Sequence, residues 1–180
     1  MTRDELWSTA KHVWTTAAQE LARMESYLDP GTFKDVVASL AACKGRIVTS
    51  GCGTSAVAAR KIAHSLSCVE RPSFFLTPSD AVHGALGSVQ PKDIGILISK
   101  GGNTAEIRAM LGAFQEKGVP IIAVTEHPES SLGVAARIVV PVKIEREADE
   151  FNMLATTSTM AVVAYFDAVC IAVMRETGFT

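Results

Sequence analysis

The chain has 180 residues, a length that suits one domain of ordinary size. Apolar residues make up 48% of the sequence, charged residues make up 20%, and the formal net charge is −2. This balance supplies a large core, and it excludes the basic surface of a nucleic-acid-binding protein and the Lys/Arg run of a protein held on anionic membranes. We predict one domain over residues 1–180.

Two helices open the chain. Apolar residues recur at helical spacing from Leu6 to Leu28, which predicts an amphipathic helix over residues 3–28. Asp29-Pro30-Gly31 ends it, and a second helix follows over residues 32–43. The first twenty residues lack the apolar stretch of a secretory signal. We interpret residues 1–45 as a helical segment that packs on the rest of the domain or joins copies of the chain.

Short apolar strands then alternate with helices. The strands are predicted over residues 46–50, 73–76, 93–99, 120–125 and 137–142, and the helices over residues 55–68, 104–117, 130–135 and 153–175. Continuously apolar strands in this alternation are typical of a parallel sheet buried on both faces. We predict an α/β fold, a three-layer αβα sandwich around a five-stranded parallel sheet with right-handed crossovers.

The last helix holds the longest apolar run, residues 160–174. Tyr165 and Asp167 interrupt this run, and it is too short to cross a bilayer. Together with the missing signal sequence, this favours a soluble, cytoplasmic protein without a membrane partner.

The first candidate binding turn directly follows a strand and opens a helix. Ligands of doubly wound sheets bind beyond the carboxyl ends of the strands. Gly51 and Gly53 permit a tight turn, and the helix N-terminus offers free N–H groups to an anion. Thr54 or Ser55 either caps the helix or binds a phosphate oxygen. The turn is not a dinucleotide fingerprint, because Ala56 replaces its last glycine.

A second turn of the same design follows the strand at residues 93–99. It contains hydroxyls at Ser99 and Thr104, a cation at Lys100, a glycine at Gly101 and an amide at Asn103. Two anion-binding turns on one sheet are more specific than one. Together they predict a phosphorylated ligand that also contacts Gly53, Thr54 and Ser55 of the first turn.

Two further loops carry ionisable residues. His83 follows a strand in a segment of small residues, where it is either structural or takes part in binding or proton transfer. Glu147 lies in an acidic run, which is either a solvated surface or the source of a carboxylate that faces the ligand. The hydroxyl cluster at residues 156–159 either lines the pocket or packs. The four cysteines match no zinc-binding spacing, so no metal is expected.

These segments resemble the sugar isomerase (SIS) domain family, and within it the catalytic domain of the arabinose-5-phosphate isomerases. The matching stretches lie between residues 30 and 180, at positions 51–55, 60–63, 74–75 with Pro78, 81–87, 99–106, 128–131, 156–159 and 178–180. The resemblance implies interconversion of D-arabinose 5-phosphate and D-ribulose 5-phosphate without metal or organic cofactor. The first of these feeds synthesis of the octulosonic acid of lipopolysaccharide or capsule.

The resemblance also implies roles for individual residues. Glu106 and Glu147 match acidic positions of the family's active site, and His83 matches its histidine. Ser55, Ser99 and Thr104 match phosphate-loop positions. The family forms homotetramers with shared active sites, which implies that His64 or His83 of a neighbouring copy completes a site. Glu106 also fits a simple solvent-facing helix carboxylate.

Three departures from the family's pattern qualify these expectations. Thr54 stands where the family has a lysine, and Gly101 stands where it has a hydroxyl. The tandem CBS pair of the family is absent from the sequence. We hypothesise that Lys100 restores the missing positive charge from the neighbouring turn. Isomerisation of another phosphosugar and non-catalytic sugar-phosphate sensing stay open as alternatives, although Glu106, Glu147 and His83 favour an enzyme.

Overall fold

The computed structural model describes all 180 residues. The helices are α1 (Arg3–Tyr27), α2 (Pro30–Ala42), α3 (Thr54–Cys68), α4 (Pro78–Val82), α5 (Ala105–Glu116), α6 (Ser131–Ala135) and α7 (Thr157–Thr177), and one 3-10 turn spans Ala85–Ser88. The strands are β1 (Ile47–Gly51), β2 (Ser73–Phe75), β3 (Ile94–Ile98), β4 (Ile121–Val124) and β5 (Ile138–Val140). All five strands are parallel, in the order β2-β1-β3-β4-β5. The predicted α/β architecture is confirmed.

The three central strands are buried along their whole length, which explains their unbroken apolar sequences. Gly95 of β3 lies directly beneath an aromatic side chain of a covering helix. A Cβ there would lie 2.5 Å from the Phe114 ring of α5. The glycine therefore lets α5 pack flat on the sheet.

Two cores lie on the two faces of the sheet. One is formed with α1, α2, α3 and α7 and contains buried residues such as Leu40, Ile62 and Phe166. The other is formed with α4, α5 and α6 and contains Met110 and Phe114. The helices thus form the outer layers of a sandwich and leave the strand ends open.

The position of helix α7 in the fold explains its apolar sequence. The apolar run at residues 160–174 was predicted to be too short to cross a bilayer, but the whole helix has 21 residues and a mean hydropathy of 1.7, so by length and composition alone it is long and apolar enough. In the fold it packs against α1, α2 and α3, and Phe166 and Val169 are fully buried. These contacts are those of the core helix of a globular domain.

The structure corrects one predicted helix boundary and adds two short elements that were not predicted. Helix α7 begins at Thr157 and not at residue 153, because the carboxylate of Asp149 accepts hydrogen bonds from the amides of Phe151, Met153 and Leu154. Those amides are therefore held in a turn. The loop after β2 is also more ordered than predicted, since it contains α4 and the 3-10 turn.

The first half of α1 extends beyond the cores. Leu6, Trp7 and Trp14 are more than half exposed, and the two indole rings pack edge to face with centroids 5.4 Å apart. The first half of α1 therefore exposes apolar surface.

Candidate active site

The two glycine-containing turns meet at the switch point of the sheet. β1 and β3 are neighbours, and the chain leaves β1 towards β2 but leaves β3 towards β4. Gly51 at the end of β1 pairs with Ile98 at the end of β3, so both turns begin at the same level. Crevices of this kind are the usual ligand sites of doubly wound sheets.

The first turn leaves the N-terminus of α3 open. Gly53 precedes the helix with φ +56° and ψ −129°, and no side chain caps the helix. Thr54 is exposed and Ser55 is half-buried. Free amides and the positive end of the helix dipole therefore face the crevice.

The second turn is held by its own hydroxyls. Ser99 is buried, its Oγ lies 2.7 Å from Oγ1 of Thr104, and it accepts a hydrogen bond from the Gly102 amide at 3.1 Å. Thr104 precedes α5 but makes no capping hydrogen bond to it. The N-terminus of α5 is therefore open as well, beside that of α3.

Gly102 fits the second turn against the loop after β4, and its substitution should be severe. Its φ is +68°, and an added Cβ would lie 1.8 Å from the Ser130 Oγ. We expect Gly102→Ala to lower the free energy of unfolding by roughly 2–4 kcal/mol, measured by urea denaturation. The matched control is Gly101→Ala, whose Cβ would meet no atom within 4 Å. This control should stay within about 0.5 kcal/mol, and equal losses in the two variants would contradict the prediction.

A cavity of about 90 Å³ lies between the two turns and the start of α7. Its polar lining comes from four elements, and consists of Thr54, Ser55, Lys100, Thr125, Glu126, Ser158 and Thr159. Its apolar lining consists of Ala58, Ile98, Val124, Val142, Ala155 and Val162. Of the residues predicted to bind phosphate, Thr54, Ser55 and Lys100 share this cavity.

Lys100 is the cation of the cavity. Its Nζ lies 3.8 Å from Oε1 of Glu147 and 3.9 Å from Oε1 of Glu126, and its side chain is 55% exposed. Its main-chain carbonyl accepts hydrogen bonds from Thr125 Oγ1 and the Glu126 amide, both at 3.0 Å. The lysine thus has a fixed backbone and a half-exposed ammonium group that forms long ion pairs with two carboxylates.

Glu147 is buried against the N-terminus of α7. Its carboxylate accepts hydrogen bonds from the amides of Thr156 and Ser158 at 3.0 and 3.1 Å, and from the hydroxyls of both residues. Burial acts to raise the pKa of Glu147, but the hydrogen bonds from Ser158 and Thr156 and the charge of Lys100 outweigh it. The net pKa lies below the ordinary value, so the carboxylate stays charged at neutral pH.

The lowered pKa of Glu147 predicts a pH-dependent contribution to stability. A carboxylate with a depressed folded-state pKa stabilises the fold above its unfolded value of 4.5, and this contribution is lost as the pH falls through the folded pKa. We expect Glu147→Gln to be less stable than wild type at pH 7. Urea denaturation should show the difference shrinking below pH 4.5. A difference that is constant from pH 7 to pH 3 would contradict this.

The other predicted residues lie outside the cavity. Glu106, the second residue of α5, is exposed without a hydrogen bond or ion pair. It lies near the first turn, since its charge adds to burial in raising the pKa of the Cys52 thiol. His83 is exposed directly after α4, which packs against α5. Asn103 holds α6, because its Oδ1 accepts a hydrogen bond from the Ser131 amide at 3.0 Å.

Sequence reasoning missed Thr125 and Glu126. Both follow β4 directly, and in a parallel sheet every strand end reaches the same edge. Their position directly after a strand could therefore have identified them as candidate site residues. Ser158 and Thr159 of the hydroxyl cluster do line the cavity, whereas Thr157 is completely buried.

The chain is similar to curated enzymes and to solved structures. It is 36% identical over 170 residues to arabinose 5-phosphate isomerase KdsD of Shigella flexneri, which covers 94% of this chain and 52% of that protein. The chain therefore spans about half the length of the curated relatives it matches. A structure of a putative sugar-phosphate isomerase from Listeria monocytogenes is 46% identical, with a TM-score of 0.98 over 100% of this chain and 94% of that one.

A second solved structure carries a ligand. The E. coli CFT073 protein c3406 in complex with arabinose 5-phosphate is 32% identical, with a TM-score of 0.94 over 100% of this chain and 95% of that one. The family model described as SIS domain matches residues 39–172, which include both turns, Glu106 and Glu147. The chain belongs to the SIS domain family.

Proposed function

We propose that this chain is a phosphosugar isomerase that interconverts D-arabinose 5-phosphate and D-ribulose 5-phosphate through an enediol. The observation that carries the proposal is the crevice where the open N-termini of α3 and α5 lie beside Lys100 and a buried, charged Glu147. It combines an anion site with carboxylates at the strand ends of one sheet.

The phosphate group is assigned to the two turns. The amides that open α3, the hydroxyls of Thr54 and Ser55, and the ammonium group of Lys100 provide donors to its oxygens. Ser99 and Thr104 bond to each other, so their proposed part is to shape the second turn, and Gly53 and Gly101 let the phosphate oxygens approach the backbone. The cavity is small beside the 300 Å³ or more of a typical ligand site, so the sugar extends from it towards solvent.

The reaction moves one proton between two carbons. In the open-chain aldose a base removes the C2 proton, and the C1 carbonyl oxygen gains a proton, which gives the enediol. A proton is then delivered to C1 while the C2 hydroxyl loses its own, which leaves the ketose. We assign the base to Glu106, since its carboxylate is free of protein hydrogen bonds, and the exchange of protons with the oxygens to His83.

Glu147 suits a different part in this scheme. Its four hydrogen-bond donors and Lys100 favour its charged form, so it is a weak proton acceptor. We assign it to holding Lys100 and the substrate hydroxyls in place. The two carboxylates, Glu106 and Glu147, thus have different proposed roles because their environments differ.

The names of the relatives agree with this substrate. The Shigella flexneri relative is an arabinose 5-phosphate isomerase, and the E. coli structure contains arabinose 5-phosphate. We further propose a cytoplasmic homotetramer without metal or organic cofactor, which supplies arabinose 5-phosphate for lipopolysaccharide or capsule synthesis. In this assembly the exposed apolar face of α1 is covered, and His64 or His83 reaches the site of a neighbouring copy.

Proton exchange in deuterated water tests the proposal. The purified protein is incubated with a panel of pentose, hexose and heptose phosphates, and NMR follows deuterium at C1 and C2. We expect incorporation with arabinose 5-phosphate and ribulose 5-phosphate. Incorporation with another sugar alone would identify that sugar as the substrate instead. Binding without any incorporation would favour a sugar-phosphate sensor over an isomerase.

A further inference from the structure

The segment that carries Glu147 has no regular structure of its own. Residues 141–156, between β5 and α7, form neither strand nor helix. A carboxylate on such a segment keeps a fixed position only if other elements satisfy the main-chain groups around it. Within the segment the Glu147 amide donates to Asn152 Oδ1 and the Ala148 amide donates to Thr156 Oγ1. The main chain at residues 143 and 145 is bound by α1.

Glu20 of α1 binds the main chain two residues before Glu147. Both of its carboxylate oxygens lie 3.1 Å from the amide nitrogen of Glu145, which donates to them, and Glu20 is only 6% exposed. Arg23 donates to Glu20 through Nε at 3.1 Å and Nη2 at 2.9 Å. The buried carboxylate is therefore paired with a cation and an amide at once.

The same face of α1 holds the main chain at Lys143. Nη2 of Arg23 donates to the Lys143 carbonyl at 3.1 Å, and the Tyr27 hydroxyl donates to this carbonyl at 2.7 Å. The Lys143 amide donates to the Tyr27 oxygen at 3.1 Å. Burial raises the pKa of Tyr27, so the phenol keeps its proton for this bond.

We infer that Glu20, supported by Arg23 and Tyr27, is a positioning residue that fixes the main chain at residues 143–145 and thereby places the Glu147 carboxylate beside Lys100. The inference rests on the proposed function of the Glu147 site. Packing alone does not require a charge at this place on α1, since burying a carboxylate costs free energy unless it is paired. The charged Glu20 carboxylate instead pairs with Arg23 and accepts the hydrogen bond from the Glu145 amide.

Glu20→Ala tests the inference, with Glu25→Ala as the matched control because Glu25 is exposed on the same helix. We expect Glu20→Ala to lower kcat about tenfold and to weaken the affinity for arabinose 5-phosphate with it, because Glu147 holds Lys100 and the substrate hydroxyls and a small misplacement of a positioning group is costly. Amide hydrogen exchange at residues 143–147 should accelerate. Glu20→Gln should lose less on both measures, since its carbonyl still accepts from the Glu145 amide. Glu25→Ala should match wild type.

Two readouts do not depend on catalysis. An NMR titration should show the pKa of Glu147 rising towards its ordinary value in Glu20→Ala, because displacement weakens its bonds to α7. The inference would be overturned if Glu20→Ala left both the amide exchange at residues 143–147 and the pKa of Glu147 unchanged. It would also be overturned if both changed while kcat stayed at the wild-type value. If wild type is inactive on every sugar, the proposed function fails while exchange and titration still decide the positioning role. If Glu20→Ala does not fold, Tyr27→Phe takes its place with the same expected directions.

Discussion

Lys100→Ala should weaken the affinity for arabinose 5-phosphate by about 10- to 100-fold, since a hydrogen bond to a charged group contributes roughly 1.5–3 kcal/mol. The reason is that Lys100 is the cation that lines the cavity with Thr54 and Ser55. Calorimetric titration measures the dissociation constant directly. Lys34→Ala is the control, because Lys34 is exposed on α2 away from the site.

Two further variants separate the charge of Lys100 from its shape. Lys100→Arg keeps the charge and should retain most of the affinity. Adding Thr54→Lys to Lys100→Ala should restore much of the loss, because positions 54 and 100 line the same cavity from neighbouring turns. If Lys100→Ala binds as tightly as wild type, Lys100 does not take the place of the first-turn lysine that the resemblance implies.

The positions of the two turns could be predicted because they follow from local sequence. Apolar strands such as Ile94–Ile98 must be buried, and parallel strands end at a common edge. The turns after β1 and β3 were therefore expected to meet, and Gly51 and Ile98 are indeed paired. The α/β fold and the sharing of one cavity by Thr54, Ser55 and Lys100 follow from this single constraint.

Contacts between residues far apart in the sequence could not be predicted in this way. The bond from the Glu145 amide to Glu20 joins positions 125 residues apart, and no local pattern marks either partner. The same holds for the burial of Glu147, which looks like part of a solvated acidic run until α7 binds its carboxylate. Acidic residues in one run therefore have very different environments: Glu150 is exposed, whereas Glu147 is 3% exposed.

The sequence also could not distinguish the chemical roles of Glu106 and Glu147. Both follow strand ends, and the resemblance to the family implies an active-site role for both. Only the tertiary structure separates them, because α7 provides donors to Glu147 while Glu106 has none from the protein. The assignment of the base to Glu106 stays a prediction, as do the roles of His83 and Asn103.

Glu106→Gln should lower kcat for arabinose 5-phosphate by about 10²- to 10⁴-fold, the usual contribution of a general base. The substrate dissociation constant and the free energy of unfolding should stay close to wild type, since the side chain is exposed and unbonded. Glu116→Gln, an exposed carboxylate at the other end of α5, is the isosteric control and should keep full activity. Deuterium incorporation at C2 of the aldose measures the proton-removal step itself.

Glu147→Gln should give a different combination of effects. The amide cannot accept all four hydrogen bonds from Thr156 and Ser158, and it leaves Lys100 without its buried partner. Stability and sugar-phosphate affinity should therefore fall together with kcat. If instead Glu106→Gln retains proton exchange and Glu147→Gln abolishes it at unchanged affinity and stability, the base is Glu147. The bonds from α7 would then have to loosen when substrate binds.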